Sequence, residues 1–381
     1  MINTSLSLTN FRNHHQTVVE WGDHVNIITG LNGAGKTNLI DALHYLCMGR
    51  SFTSSSDQYV VRQGATSFLV KGHFRGSIRS EFEISCAYSR GDGKKLFVND
   101  SPLERHADLI GRVPVVLVSP DDRKLTGEGP AERRSFLDAL ISQTSPAYLD
   151  DLIRYRKIVR QRNRLLSGYY YDDGNLDNLL EPWDRQLLET GSRIISIRNE
   201  MVCKFRDYLK KAHERLTGSG LVPAISYKTF CSGDKGALSM TEQQIREAYR
   251  KELSETAERE RERRQTITGP HRDDLVFFLD DLELRKFGSQ GQHRIFALAL
   301  KMAQLYFYRE ALEDLPVFLL DDVFGDLDPA RTDTVMNMLL QHSGQSFITA
   351  AHADKISGFK DSEHARIAWY HVSDGHVAPY R

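Results

Sequence analysis

The sequence predicts an α/β fold: a sheet assembled from both ends of the chain, an antiparallel β flap beside it, and an inserted helical lobe. Three observations predict it. Residues 30–37, GLNGAGKT, fit the pattern G-x-x-x-x-G-K-[ST] and lie between an apolar strand and a helix. Far downstream, PVFLLDD at 316–322 is a second apolar strand, and it ends in two acids. Between these segments the hydrophobic period changes, from alternation at about 68–100 to helical spacing over 129–265. The expected division is therefore 1–128 with 266–381 for the sheet-bearing part, and 129–265 for the lobe.

The first strand is HVNIITG, 24–30, and it runs straight into the glycine-rich loop. The helix that follows carries apolar residues at 39, 40, 43 and 46, which share one face. Strand, loop and helix are the context in which such a loop cradles phosphate: glycines permit tight turns, and backbone N–H groups and the helix N-terminus face the anion. Gly30, Leu31, Asn32, Gly33, Ala34 and Gly35 form the cradle, Lys36 reaches the β/γ-phosphates, and Thr37 offers a hydroxyl to Mg²⁺. The guanine-reading pattern [NT]KxD does not occur, so ATP is the expected nucleotide.

At 68–100 the segments FLVKGHFRG, EFEISCAYSR and KLFVND alternate around the turn GDGKK, which predicts antiparallel strands that frame the adenine side or simply cover the core. The lobe begins at Gly129, where Pro130 suits a first helical turn. Within it Ile194, Ile197, Met201, Phe205 and Tyr208 make an amphipathic stripe. Arg154, Arg156, Lys157, Arg160, Arg162 and Arg164 crowd one helix. They either track DNA phosphates without reading bases or form a solvated charged face. The run ERERERR, 258–264, alternates in sign and reads as a salt-bridged helix.

Ser289, Gln290, Gly291 and Gln292 open a strongly helical segment, with Ser289 as N-cap, and make a second candidate phosphate site. In the acid strand, Asp321 is placed to reach Mg²⁺ and Asp322 to act as general base or water-orienting acid.

Lys+Arg total 50 and Asp+Glu 51, so any polyanion partner must meet a local basic patch. The four cysteines are scattered, with no C-x-x-C pair, which fits a reducing cytoplasm and not a zinc site. No apolar run approaches a membrane span, and the first residues show no basic-then-apolar signal pattern. A cytoplasmic protein with no membrane association is expected.

Loop, S-x-G-Q and LLDD, in that order, resemble an ABC-type P-loop ATPase head. By that resemblance VFGDLD is a D-loop, with Asp328 at a subunit interface, and SFITAAH is a switch strand. His352 is then a γ-phosphate sensor, although a surface histidine is the competing reading. The opening LTNFRNHHQTVVEW, with GPAERRSFLD, YRKIVRQRNRLL, PWDRQL and TGPHRDDL, is similar to the RecF family of bacterial recombination-mediator ATPases and its structural-maintenance relatives. The lobe is too short for a long coiled-coil arm. The resemblance implies an ATP-dependent homodimer acting in DNA replication and recombinational repair. It also implies binding to single-stranded, gapped and duplex DNA, help to RecO and RecR in loading RecA, and a weak DNA-stimulated ATPase. Two departures from the broader ABC pattern stand out: Gln290 replaces a glycine, and Asp322 replaces a glutamate one methylene longer, which implies slow, switch-like turnover. The competing reading is the ATPase subunit of a membrane transporter.

Overall fold

The computed structural model describes residues 1–77, 81–168, 176–218, 220–233, 239–350 and 366–380. By internal contacts the chain divides into two compact units. The first holds Met1–Asp122, Ala212–Ser219 and Ala297–Arg381, and the second Arg123–Lys211 and Gly220–Phe296. The later boundary differs from the expected one at 265/266: residues 266–296, with the Ser289 segment, pack with the inserted residues.

The first unit has two sheets. One runs β2 (His14–Glu20), β1 (Ile2–Phe11), β4 (Ser67–Arg75), β5 (Phe82–Ser89), β6 (Gly93–Val98), β7 (Ser101–Pro102), with every neighbouring pair antiparallel. The alternating residues at 68–100 form its β4–β6 portion, and Ser89 pairs with Gly93 across the expected turn. The other sheet runs β15 (His376–Pro379), β14 (Ile367–Ser373), β3 (Val25–Thr29), β13 (Gln345–Ala350), β12 (Val317–Leu320), β8 (Val115–Val118). Its strands are parallel apart from β15. Strands β3, β12 and β13 are buried at every position, as parallel strands covered on both faces must be.

Helix α1 (Lys36–Met48) joins the two sheets into one core. Its Leu39, Ile40, Leu43 and Leu46, the predicted apolar face, are each 0–1% exposed. They pack with Leu8, Val70 and Ile84 of the antiparallel sheet and with Val317, Leu319 and Phe347 of the parallel one. Each such side chain contributes about 1.5–3 kcal/mol by leaving water. The buried helix thereby fixes where the loop before it sits.

The second unit is not purely helical. Helices α2 (Arg123–Gly127), α3 (Pro130–Ser142), α4 (Pro146–Gly168), most of α5 (Leu176–Thr217), α6 (Glu242–Glu255), α7 (Ala257–Arg263), α8 (Leu284–Phe287) and the start of α9 (Gln290–Ala311) accompany a three-stranded sheet. That sheet runs β11 (Leu282–Glu283), β10 (Asp274–Leu279), β9 (Pro223–Lys228) and is antiparallel. Its main pairing joins segments separated by two helices, so no local hairpin signal announces it. The buried seam of α5 also differs from the expected stripe. It follows Ile194, Ile195, Arg198, Val202, Phe205 and Leu209, all at most 2% exposed, whereas Ile197, Met201 and Tyr208 are half-buried. An arginine occupies the core position that the hydrophobic stripe steps around.

Candidate functional site

The glycine-rich loop leaves β3 at the carboxyl edge of the parallel sheet, where such sheets bind ligands. Gly30 has φ +149°, and a Cβ there would lie 2.3 Å from the Val372 carbonyl oxygen of β14. Gly35 has φ +111°, and its Cβ would lie 2.6 Å from Asn13 Nδ2. These two positions require glycine for different reasons, one the neighbouring strand and the other the turn between β1 and β2.

That turn clamps the loop. Asn13 Nδ2 donates to the Ala34 carbonyl at 3.0 Å, and Asn38 Nδ2 donates to Asn13 Oδ1 at 2.7 Å. His14 is buried, with Nδ1 2.9 Å from the Gly375 carbonyl and Nε2 3.3 Å from the Gly35 carbonyl. Burial lowers its pKa. Arg12, at φ +56°, turns its guanidinium to Asp41 at 3.2 Å, Ser51 at 3.1 Å and Thr53. Motif patterns do not mark Asn13 and His14 as site residues, and FRNH in the opening stretch is the signal that carries them.

Lys36 is 7% exposed and donates to the carbonyls of Gly30 at 2.8 Å and Leu31 at 3.0 Å. Burial lowers its pKa, with Asp322 and then Asp321 opposing the shift. Thr37 Oγ1 donates to Asp321, 2.8 Å from Oδ1 and 3.0 Å from Oδ2, so the loop after β3 and the end of β12 meet. Asp321 is 6% exposed, and burial raises its pKa despite hydroxyl donors. Asp322 is exposed and holds a left-handed backbone at φ +49°. Its N–H donates to Thr349 Oγ1 at 2.9 Å, and that hydroxyl donates to Asp321 Oδ1 at 2.8 Å. Thr349 is a further residue that motif reading missed, although it lies within SFITAAH.

The first turn of α1 contains no acidic residue of its own, and the carboxylate that reaches it is Asp321, through the Thr37 hydroxyl. Asp328 is the N-cap of α10 (Pro329–His342), accepting from Arg331 N at 2.9 Å and pairing with the Arg331 guanidinium. In the second unit, Ser289 and Gln292 form a reciprocal capping box at α9: Gln292 N donates to Ser289 Oγ at 3.2 Å, and Ser289 N donates to Gln292 Oε1 at 2.8 Å. Gln290 and Gly291 begin that helix on an exposed surface. His352 lies outside the described residues.

Among the six basic candidates on α4, Arg154, Arg156, Lys157, Arg160 and Arg164 are exposed. Arg162 is not a surface cation, which corrects its place in the expected cluster. It is 3% exposed and bound to Asp184 at 2.6 Å, Glu260 at 2.6 Å and Thr266 Oγ1 at 3.0 Å. Arg156 also has a partner, Asp138 at 3.2 Å.

The fold and the loop–carboxylate geometry define a P-loop ATPase head of the structural-maintenance type. The family model RecF/RecN/SMC N terminal domain matches residues 2–371. The DNA replication and repair protein RecF of Salinibacter ruber is 42% identical over 353 residues, 92% of this chain and 85% of that protein. RecF of Chloroherpeton thalassium is 40% identical over 349 residues, covering 90% and 93%. The solved structure of the recombination mediator RecF with ATP superposes with a TM-score of 0.90 at 31% identity, covering 100% of this chain and 98% of that one. An Smc head bound to the C-winged helix domain of ScpA shares the fold, with a TM-score of 0.58 at 14% identity. The chain belongs to the RecF family of DNA replication and repair proteins. That membership overturns the transporter-subunit reading, and among the described residues no helix is long and apolar enough to cross a membrane.

Proposed function

We propose that this chain is an ATP-dependent DNA clamp of replication and recombinational repair. Mg-ATP joins two copies, and the dimer holds single-stranded, gapped or duplex DNA while RecO and RecR load RecA. The observation that carries the reading is the Thr37–Asp321 contact beside Lys36, which gathers phosphate-binding and carboxylate groups at one sheet edge. Thr37 and Asp321 offer hard oxygen donors that fit Mg²⁺. That ion characteristically takes one or two protein ligands and completes its shell with phosphate oxygens and water. When bound, Mg²⁺ supplies charge neutralisation on the phosphates.

Lys36 and the loop N–H groups grip the phosphates, and Asp322 orients the attacking water. A carboxylate one methylene short of the usual glutamate reaches that water poorly, so turnover is slow and switch-like, with DNA stimulating it. Ser289 to Gln292 of one copy close on the phosphates held by the other, with Asp328 at the interface and His352 sensing the γ-phosphate. The cytoplasm is the expected compartment. A mobility-shift titration on gapped and duplex DNA tests the reading: Mg-ATP should tighten binding at least tenfold. Equal binding with and without nucleotide would exclude an ATP-operated clamp.

A further inference from the structure

Thr349 stands one residue before the end of β13 and is 1% exposed, among Phe347, Ile348 and Ala350. A hydroxyl in so buried a strand needs partners. It has two among the described residues, and they belong to the two adjacent acids. Its proton goes to Asp321 Oδ1 at 2.8 Å, and its oxygen accepts the Asp322 N–H at 2.9 Å. Valine has nearly the same shape and no polar group, so packing in β13 does not by itself call for threonine.

The two bonds do different things. Asp321 N still donates to Val118 O at 2.9 Å, continuing the sheet, and the chain then turns at Asp322. A non-glycine residue at φ +49° is uncommon and must be held by its surroundings. The bond from Asp322 N to Thr349 is a direct tether on that turn, and the turn aims the Asp322 carboxylate. The other bond orients Asp321 together with the Thr37 hydroxyl, which approaches the same carboxylate from the loop.

We infer that Thr349 is a positioning residue that couples the two acids, setting the direction of Asp322 through its backbone N–H and that of Asp321 through its carboxylate. The inference rests on the proposed assignment of Asp322 to water orientation. Asp321 keeps Thr37 as a donor when Thr349 changes, whereas Asp322 loses its tether, so the effect falls on turnover more than on nucleotide affinity.

The test compares Thr349→Val, Thr349→Ser and Asp322→Asn in the full chain with Mg-ATP and DNA. It measures the ATP dissociation constant by titration and hydrolysis under single-turnover conditions. Thr349→Val should slow hydrolysis at least tenfold while the dissociation constant stays within about threefold. Thr349→Ser, which restores both bonds, should recover most of the rate. Wild-type hydrolysis in Thr349→Val while Asp322→Asn is inactive overturns the coupling and leaves the role of Asp322 standing. Wild-type hydrolysis in Asp322→Asn overturns the site assignment instead. Parallel loss of rate, affinity and melting temperature in both the Val and Ser variants reduces Thr349 to a structural residue. Should Thr349→Val fail to fold, Thr349→Cys, similar in size with a weak donor, carries the same comparison.

Discussion

Two regions of this molecule bury charge, and they do it in opposite ways. In the second unit Arg198 sits in the middle of α5, its guanidinium 2.8 Å from Asp138 Oδ1, 2.9 Å from the Tyr148 hydroxyl and 2.6 Å from the Pro270 carbonyl. Asp273 lies 3.7 Å away and also receives the Tyr227 hydroxyl. Arg162 is held likewise between Asp184 and Glu260. In the first unit the ammonium of Lys36 touches carbonyls, and the carboxylate of Asp321 touches hydroxyls. Neither has an ion pair among the described residues. The first arrangement neutralises charge inside the protein and specifies a fold. The second holds ammonium and carboxylates within each other's field but in no contact ion pair, which suits a site completed by a charged ligand. Family motifs run through both regions, so a motif alone does not distinguish a scaffold from a site; the partners do.

The largest effect should come from breaking the scaffold. Arg198→Met takes the nearest cation from buried Asp273 and leaves Asp138 only the exposed Arg156, and it should lower unfolding free energy by about 3–5 kcal/mol, read from urea denaturation. A loss below about 1 kcal/mol would mean that the network is not holding the unit together. Lys36→Met should do the reverse: unchanged or slightly higher stability, because a desolvated ammonium is removed. Its ATP affinity should fall by about 3 kcal/mol, roughly a hundredfold, from lost charge-assisted hydrogen bonds. Unaltered ATP affinity in a titration would remove Lys36 from the site.

Acid sharpens the comparison within the scaffold. His271 Nδ1 lies 2.8 Å from the Tyr155 hydroxyl, and Nε2 lies 3.1 Å from the Thr266 carbonyl. These partners suit a neutral ring that donates from Nε2. Burial pushes its pKa down to about 4, below the ordinary 6.5. The unfolded chain therefore takes up a proton below 6.5 that the folded chain refuses until about 4, so the His271 contribution is present above 6.5 and is lost as pH falls. Asp273, pushed up to about 6 by burial, acts in the opposite direction: its contribution is present at low pH and is lost as pH rises towards 6. The clean readout is the difference between wild type and His271→Gln, in which Asp273 is common to both. That difference should change by up to about 3 kcal/mol between pH 4 and 7. A pH-independent difference would show that His271 titrates alike folded and unfolded.

Sequence reading reached the nucleotide site further than the scaffold, for a physical reason. A phosphate loop is local: the residues that bend it and the lysine that follows lie within 30–37, and β12 announces itself as an apolar run ending in acids. Alternation likewise revealed β4 to β6. Arg198 and Arg162 defeated the same reading because periodicity assigns charge to the solvent side, and only tertiary carboxylates reverse that. The β9–β10 pairing and the Thr349 bridge are nonlocal in the same sense: each half is unremarkable until the other is beside it.

The smallest expected effect concerns the cations of α4. Arg162 belongs with the scaffold, and Arg156 is engaged with Asp138, so DNA contact, if α4 supplies it, falls to Arg154, Lys157, Arg160 and Arg164. Positions 154, 157, 160 and 164 succeed one another by three or four residues, so they line one exposed face of the helix, facing away from buried Tyr155, Ile158 and Leu166. Cations that contact only phosphates release counterions, each contact contributing about −0.9 to the slope of log K against log salt on duplex DNA. Replacing Arg154, Arg160 and Arg164 with glutamine should therefore flatten the slope by about two to three units without changing sequence preference. Unlike Arg198→Met, the triple variant should keep its folding stability within about 0.5 kcal/mol, since exposed side chains away from a network carry little of it. An unchanged slope would make this face a solvated one and move the DNA surface elsewhere on the molecule. Adding Arg162→Gln to the triple variant separates the two kinds of arginine on one helix: stability should drop by several kcal/mol, while the salt slope stays where the triple variant left it.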